Sequence, residues 1–139
     1  MRFFPLLLIA VIIYNIIAFG TGLTHHDVYA TLNSALTIHM FSGDEWRYSF
    51  GDALVTFSLV LLFIEIVKST RTSSRQIVNH GLSMLTFVVA IVEFIVLHGF
   101  ASSTFFFILV MCLIDVVGGY TISIIAAEHN LGLARVSTD

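Results

Sequence analysis

Four apolar segments, at about 3–20, 51–67, 77–98 and 104–127, decide what this chain can fold into. Crossing the hydrocarbon of a bilayer takes roughly 17–25 predominantly apolar residues. Each segment fits that range, the first two at its short end. A segment in lipid must satisfy its own backbone N–H and C=O groups, so a helix is predicted for each. Composition agrees, with 58% hydrophobic and only 11% charged residues, where a soluble domain carries about 25% charged. The expected fold class is an all-α membrane protein: a single domain, 1–139, built as a four-transmembrane-helix bundle.

Positive charge sets the expected orientation. The link from Lys68 to Arg75 joins segments two and three, Arg2 lies at the start, and Arg135 lies near the end. With four spans these regions share one side. They hold all the Lys and Arg residues except Arg47, so that side is expected to be cytoplasmic, with both termini inside. A rival reading makes Arg2 the n-region of a signal peptide, 6–17 its apolar core and Ala18-Phe19-Gly20 its cleavage site. Against it stand the minimal n-region and the interruption of the core by Tyr14-Asn15.

Between the first two spans lie the extracytoplasmic residues 21–50. Glu45, Arg47 and Ser49 alternate with Trp46, Tyr48 and Phe50, which is strand periodicity with one aromatic face. Ser42-Gly43-Asp44 supplies turn chemistry, so a small β-hairpin is predicted at about 37–50. Its aromatics are expected at the lipid headgroups, where Trp and Tyr are favoured. Asp52 is expected to cap span two, and Ser102 or Ser103 to cap span four. The short link from His98 to Ser103 makes spans three and four antiparallel neighbours.

Ionisable groups inside hydrocarbon are costly and face protein or water. Three qualify: Glu65, Glu93 and Asp115. Lys68, three residues beyond Glu65 on the same helix face, is expected to pair with it at the interface. On span three, Asn79, Ser83, Thr86, Ala90 and Glu93 form a polar or small stripe; on span four, Cys112, Asp115, Gly119, Ser123 and Ala127 do the same. Gly119, Ser123 and Ala127 suit close helix packing. Facing stripes would bring Glu93 and Asp115 within one or two turns in depth, where two carboxylates with no cation cannot comfortably both be charged. Two readings stay open. The carboxyls hold helices together with Asn15, Thr86 and Ser123, or they form a proton or small-cation site.

The lone Cys112 supports no disulfide framework, and the net charge of −3 offers no patch for nucleic acid. Six histidines fall at two levels: His25, His26, His39 and His98 on the outer side, His80 and His129 on the inner. His39 with His98, or His80 with His129, are weak candidates for b-type haem ligands; His129 is expected beyond its helix. His25-His26 lacks a third ligand for zinc. No cofactor or metal is predicted. Phosphate-loop, zinc-protease and nucleophile-elbow motifs are absent, which argues against an enzyme.

Ser42-Gly43 followed by Trp46, then Gly51-Asp52, the run from Leu62 to Lys68, Thr70-Arg71-Thr72, Asn79-His80, Thr104-Phe105-Phe106 and the run from Asp115 to Tyr120 carry a resemblance. Together they resemble an uncharacterised family of small four-span inner-membrane proteins of Gram-negative, mainly alphaproteobacterial, bacteria. The resemblance covers most of the chain from the hairpin onward and implies location and fold but no activity. The family leads one to expect basic residues after span four, where Ala127-Glu128-His129 stand here. The expected role is a structural or accessory component of the bacterial inner membrane. Its expected partners are the lipid bilayer and either copies of itself or a larger membrane complex.

Overall fold

The computed structural model describes residues 4–69 and 76–136, without the side chains of residues 25, 76, 77, 123, 126, 127 and 129–136. Expectations for Arg2, the link residues 70–75, and the side chains of Ser123, Ala127, His129 and Arg135 lie outside the described residues. The chain runs α1 (Leu7–Gly20), α2 (His25–Leu32), β1 (Ala35–His39), β2 (Glu45–Ser49), α3 (Phe50–Ser69), α4 (Gln76–Val96) and α5 (Ser103–Val136). The described residues are mostly helical, with one small antiparallel hairpin.

Among the described residues, three helices carry segments long and apolar enough to cross a membrane: Phe50–Ser69, Val78–Val96 and Ser103–Ile122. The first predicted span is shorter as a helix, 14 residues from Leu7 to Gly20. Pro5, which cannot donate a backbone hydrogen bond, precedes it. At its far end, Leu23 N donates to Ala18 O and Gly22 N to Phe19 O, closing the last turn. α1 buries Leu7, Ala10, Val11, Tyr14 and Ala18 and exposes Ile12, Ile16 and Phe19. The buried set follows three- and four-residue spacing, and the opposite side is equally apolar. The same holds for α3, which leaves Phe57, Leu59, Val60 and Phe63 exposed. Helices apolar on the outside as well as the inside suit a lipid surround.

α5 packs against α3, α4 and α1, and α1 also touches α3 and α4. Between α4 and α5 the chain turns at Gly99 (φ +85°), where a left-handed backbone favours glycine. Ser102 caps α5, its Oγ accepting from Phe105 N at 3.1 Å. Asp52 acts together with Ser49 in a capping box: Ser49 N donates to Asp52 Oδ2 at 2.9 Å and Asp52 N to Ser49 Oγ at 3.0 Å. This box fixes where β2 gives way to α3. Phe50 therefore begins a helix instead of ending the strand.

Two elements differ further from expectation. Residues 25–32 of the outer loop form α2, which buries Val28 and Leu32 against the helices. Thr24 precedes it in an extended conformation, and its hydroxyl donates to the Asp27 carboxylate. That bond, with His26 beside it, holds the exposed Asp27 carboxyl below its ordinary pKa. α5 also continues to Val136, so His129 lies within the helix and not beyond it. Glu128, Leu131, Leu133, Ala134 and Arg135 are good helix formers, and no proline interrupts them.

Gly119 on α5 makes room for a side chain of α4: a Cβ there would lie 2.7 Å from the His80 ring. Replacing Gly119 with Val should cost about 1–3 kcal/mol through overpacking. Unfolding in detergent by circular dichroism measures this, and the added change His80→Ala should recover much of the loss. An undiminished loss in the double variant would place the strain elsewhere.

Candidate functional site

The polar groups inside the helices gather at two levels, one near Lys68 and one near the hairpin. At the Lys68 end, Glu65 is 1% exposed. Its Oε2 accepts from Leu6 N at 3.0 Å, and its Oε1 from Asn79 Nδ2 at 2.7 Å and Lys68 Nζ at 3.1 Å. Lys68 Nζ also donates to Phe4 O at 3.3 Å. One carboxylate thus joins the start of α1, the end of α3 and the start of α4. The expected Glu65–Lys68 pair is present, but it is a buried junction instead of a surface pair, because the first turn of α1 covers it.

On the neighbouring α5, Asp115 is buried and takes a hydrogen bond from Ser83 on α4. His80 is buried with its ring against Gly119 and 5.3 Å from the Tyr120 ring. Ser83, Thr86 and Ala90 are buried along α4, and Cys112, Asp115 and Gly119 along α5. Thr86 donates to Leu82 O of its own helix and not to a carboxylate.

At the hairpin end, Asn15 Nδ2 donates both to Val11 O and to Glu93 Oε2, each at 3.0 Å. On the preceding residue, the hydroxyl of the fully buried Tyr14 donates to Gly99 O at 2.8 Å and lies 2.6 Å from Ser102 Oγ. The Tyr14 ring packs on Phe105 (4.6 Å) and Phe100 (5.2 Å). Sequence reasoning singled out Asn15 but missed Tyr14. Its signal was a phenol near the middle of an apolar segment, which needs a hydrogen-bond partner when buried.

Glu93 and Asp115 are not brought together. Contacts between Ser83 and Asp115 and between Phe94 and Phe105 set the antiparallel register of α4 and α5. Glu93 is ten residues beyond Ser83, roughly 15 Å along the helix. The expected one- to two-turn separation fails because the short turn starts both helices level, near Val96 and Ser103. Glu93 then lies close to that turn and Asp115 far from it.

The histidines are dispersed in role. His39 pairs with Glu45 on the neighbouring strand at 3.6 Å, His98 is exposed after α4, and His80 is packed on α5. Among the described residues, no group of three or more His, Cys, Asp or Glu side chains could hold a metal ion. The interfacial candidates Trp46 and Tyr48 lie on β2, their rings 5.3 Å apart, and Phe50 is exposed at the start of α3.

The arrangement fastens helices. Hydrogen bonds between membrane helices contribute about 0.6 kcal/mol on average and at most about 1.7, so Asn15→Leu should lower unfolding stability within that range. Glu65→Ala leaves Leu6 N, Asn79 and Lys68 without their acceptor and should cost roughly 2–4 kcal/mol, moderated because Lys68 is 31% exposed. Denaturant titration of both variants ranks them; an equal cost would refute the junction's priority. No family model, no curated protein and no solved structure matches this chain.

Proposed function

We propose that this chain is a four-span protein of the bacterial cytoplasmic membrane, both termini inside, serving as a structural or accessory component. It would work within a homo-oligomer or a larger membrane complex. The observation that carries this reading is the use of the intramembrane carboxylates. Glu65 binds α1 to α3 and α4, Glu93 binds α4 to α1, and Asp115 binds α5 to α4. Each has a partner on another helix, while the outward faces remain apolar.

α1 is the fourth span in this reading. Its start is fastened at the Lys68 end and its Tyr14-Asn15 pair near the hairpin end, so it runs most of the length of α3. Its buried stripe argues against removal as a signal peptide. The start of α1, the end of α3 and the start of α4 meet around Glu65, which supports placing Arg2 and the basic link on one side. The positive-inside rule makes that side cytoplasmic, and the resemblance to small four-span inner-membrane proteins supports the same location.

Topology is tested with Ser42→Cys in the hairpin turn and Ser73→Cys in the basic link. An impermeant maleimide should label the first in intact spheroplasts and the second only after permeabilisation; the reverse pattern inverts the orientation. Purified chain should retain residues 1–20 by mass spectrometry. In mild detergent it should run larger than its 15.4 kDa mass or bring a partner; a lone monomer counts against the accessory role. Proton movement through Glu93 and Asp115 is the competing function. It predicts a leak in liposomes that Asp115→Asn abolishes, and their separation along the helix disfavours it. A Soret band in the purified protein would restore haem.

A further inference from the structure

The hairpin has an apolar face whose direction is set by α3. In the strand register Leu36 pairs with Tyr48 and Ile38 with Trp46, so these four side chains share one face. Leu36 is 74% exposed and Trp46 51%. The other face carries Thr37, His39, Glu45 and Arg47. Tyr48 donates its hydroxyl to Thr56 Oγ1 at 3.2 Å. Thr56 is six residues into α3, about 9 Å along its axis from Phe50. A side chain on the apolar face therefore reaches back along the helix. Phe57 and Val60, one and four residues beyond Thr56 on α3, are exposed and apolar. The Ser49–Asp52 capping box leaves no linker through which the hairpin could swing away.

We propose that this face is a lipid-binding surface that docks the hairpin flat on the outer leaflet of the bilayer crossed by α3. This rests on the spanning role proposed for α3. The hairpin continues the lipid-facing surface of that helix past its first turn. Trp46 and Tyr48 lie at the boundary between headgroups and acyl chains, with Leu36 and Ile38 among the upper acyl chains. Insertion, not charge, provides the attraction. The strands and turn carry Asp44 and Glu45 against the single cation Arg47, which points from the opposite face. The lipid is accordingly zwitterionic or neutral, and docking is insensitive to salt.

Trp46 is the chain's one tryptophan, so its fluorescence reports this face without labelling. The full chain is reconstituted in phosphatidylcholine vesicles and washed with alkaline carbonate. Loss from the vesicles overturns the spanning reading and this inference together. With the chain retained, Trp46 emission should be blue-shifted. Lipid spin labels near the headgroup should quench it severalfold more than labels near the chain end, and aqueous iodide only weakly. Added phosphatidylglycerol or high salt should change none of this. Dominant iodide quenching in retained protein overturns the docked face alone. Protection that vanishes on dilution into excess lipid points to a second copy and overturns it too, as does a requirement for anionic lipid. The double change Leu36→Lys and Ile38→Lys should raise iodide quenching severalfold with unfolding of the helices unchanged. Unaltered quenching in that variant would sink the proposal.

Discussion

The buried carboxylate of Glu65 is the contact on which the helix arrangement depends. Where helices are apolar on every side and the surroundings are lipid, burial of hydrophobic surface discriminates weakly between one pairing and another. Directional contacts then decide which faces meet. Glu65 accepts from the backbone at the start of α1, from the Lys68 ammonium on its own helix and from Asn79 on α4. Three helix ends are thereby held level. The first turn of α1 needs acceptors for its free N–H groups, and the carboxylate supplies one at Leu6.

The hairpin end is fastened by a different chemistry. Tyr14, Phe100 and Phe105 form a buried aromatic group, with Phe100 and Phe105 edge to face at 4.9 Å. The Tyr14 hydroxyl satisfies Gly99 O in the turn between α4 and α5. α1 is therefore held by charge-assisted bonds at one end and by packing with a hydrogen bond at the other. Between them, small residues are buried along α4 and α5, and the His80 ring lies on Gly119. Such a body has polar groups committed to its own assembly and an apolar perimeter. The structural or accessory role proposed above rests on that combination.

Much of the fold was legible because periodicity and length report burial directly. The long apolar segments of α3, α4 and α5, the alternation through Trp46 and Tyr48 and a serine cap on α5 were visible as sequence; at α3 the cap is Ser49, with Asp52 reaching back to it from the first turn. α2 was not read, although Thr24, Asp27, Val28 and Leu32 have the spacing of a capped amphipathic turn. A helix of eight residues offers too few repeats for its period to stand out. The site was less legible. The polar residues were identifiable because charge in an apolar run is conspicuous, but their partners were not. Glu93 was expected near Asp115 because polar or small stripes on the two helices face each other, whereas the short turn sets their register from the ends.

By itself the sequence determined that this chain carries long apolar helices and a small amphipathic hairpin, because hydropathy, length and period are local properties. Which groups meet was decided only by tertiary structure. Asn15 finding Glu93, Ser83 finding Asp115, and Tyr14 finding the Gly99 carbonyl all depend on helix register and rotation. The order of residues along the chain leaves both undetermined until the helices pack. Glu65 shows the difference most plainly: the sequence supplied its neighbour Lys68, and the fold supplied the turn of α1 that buries it.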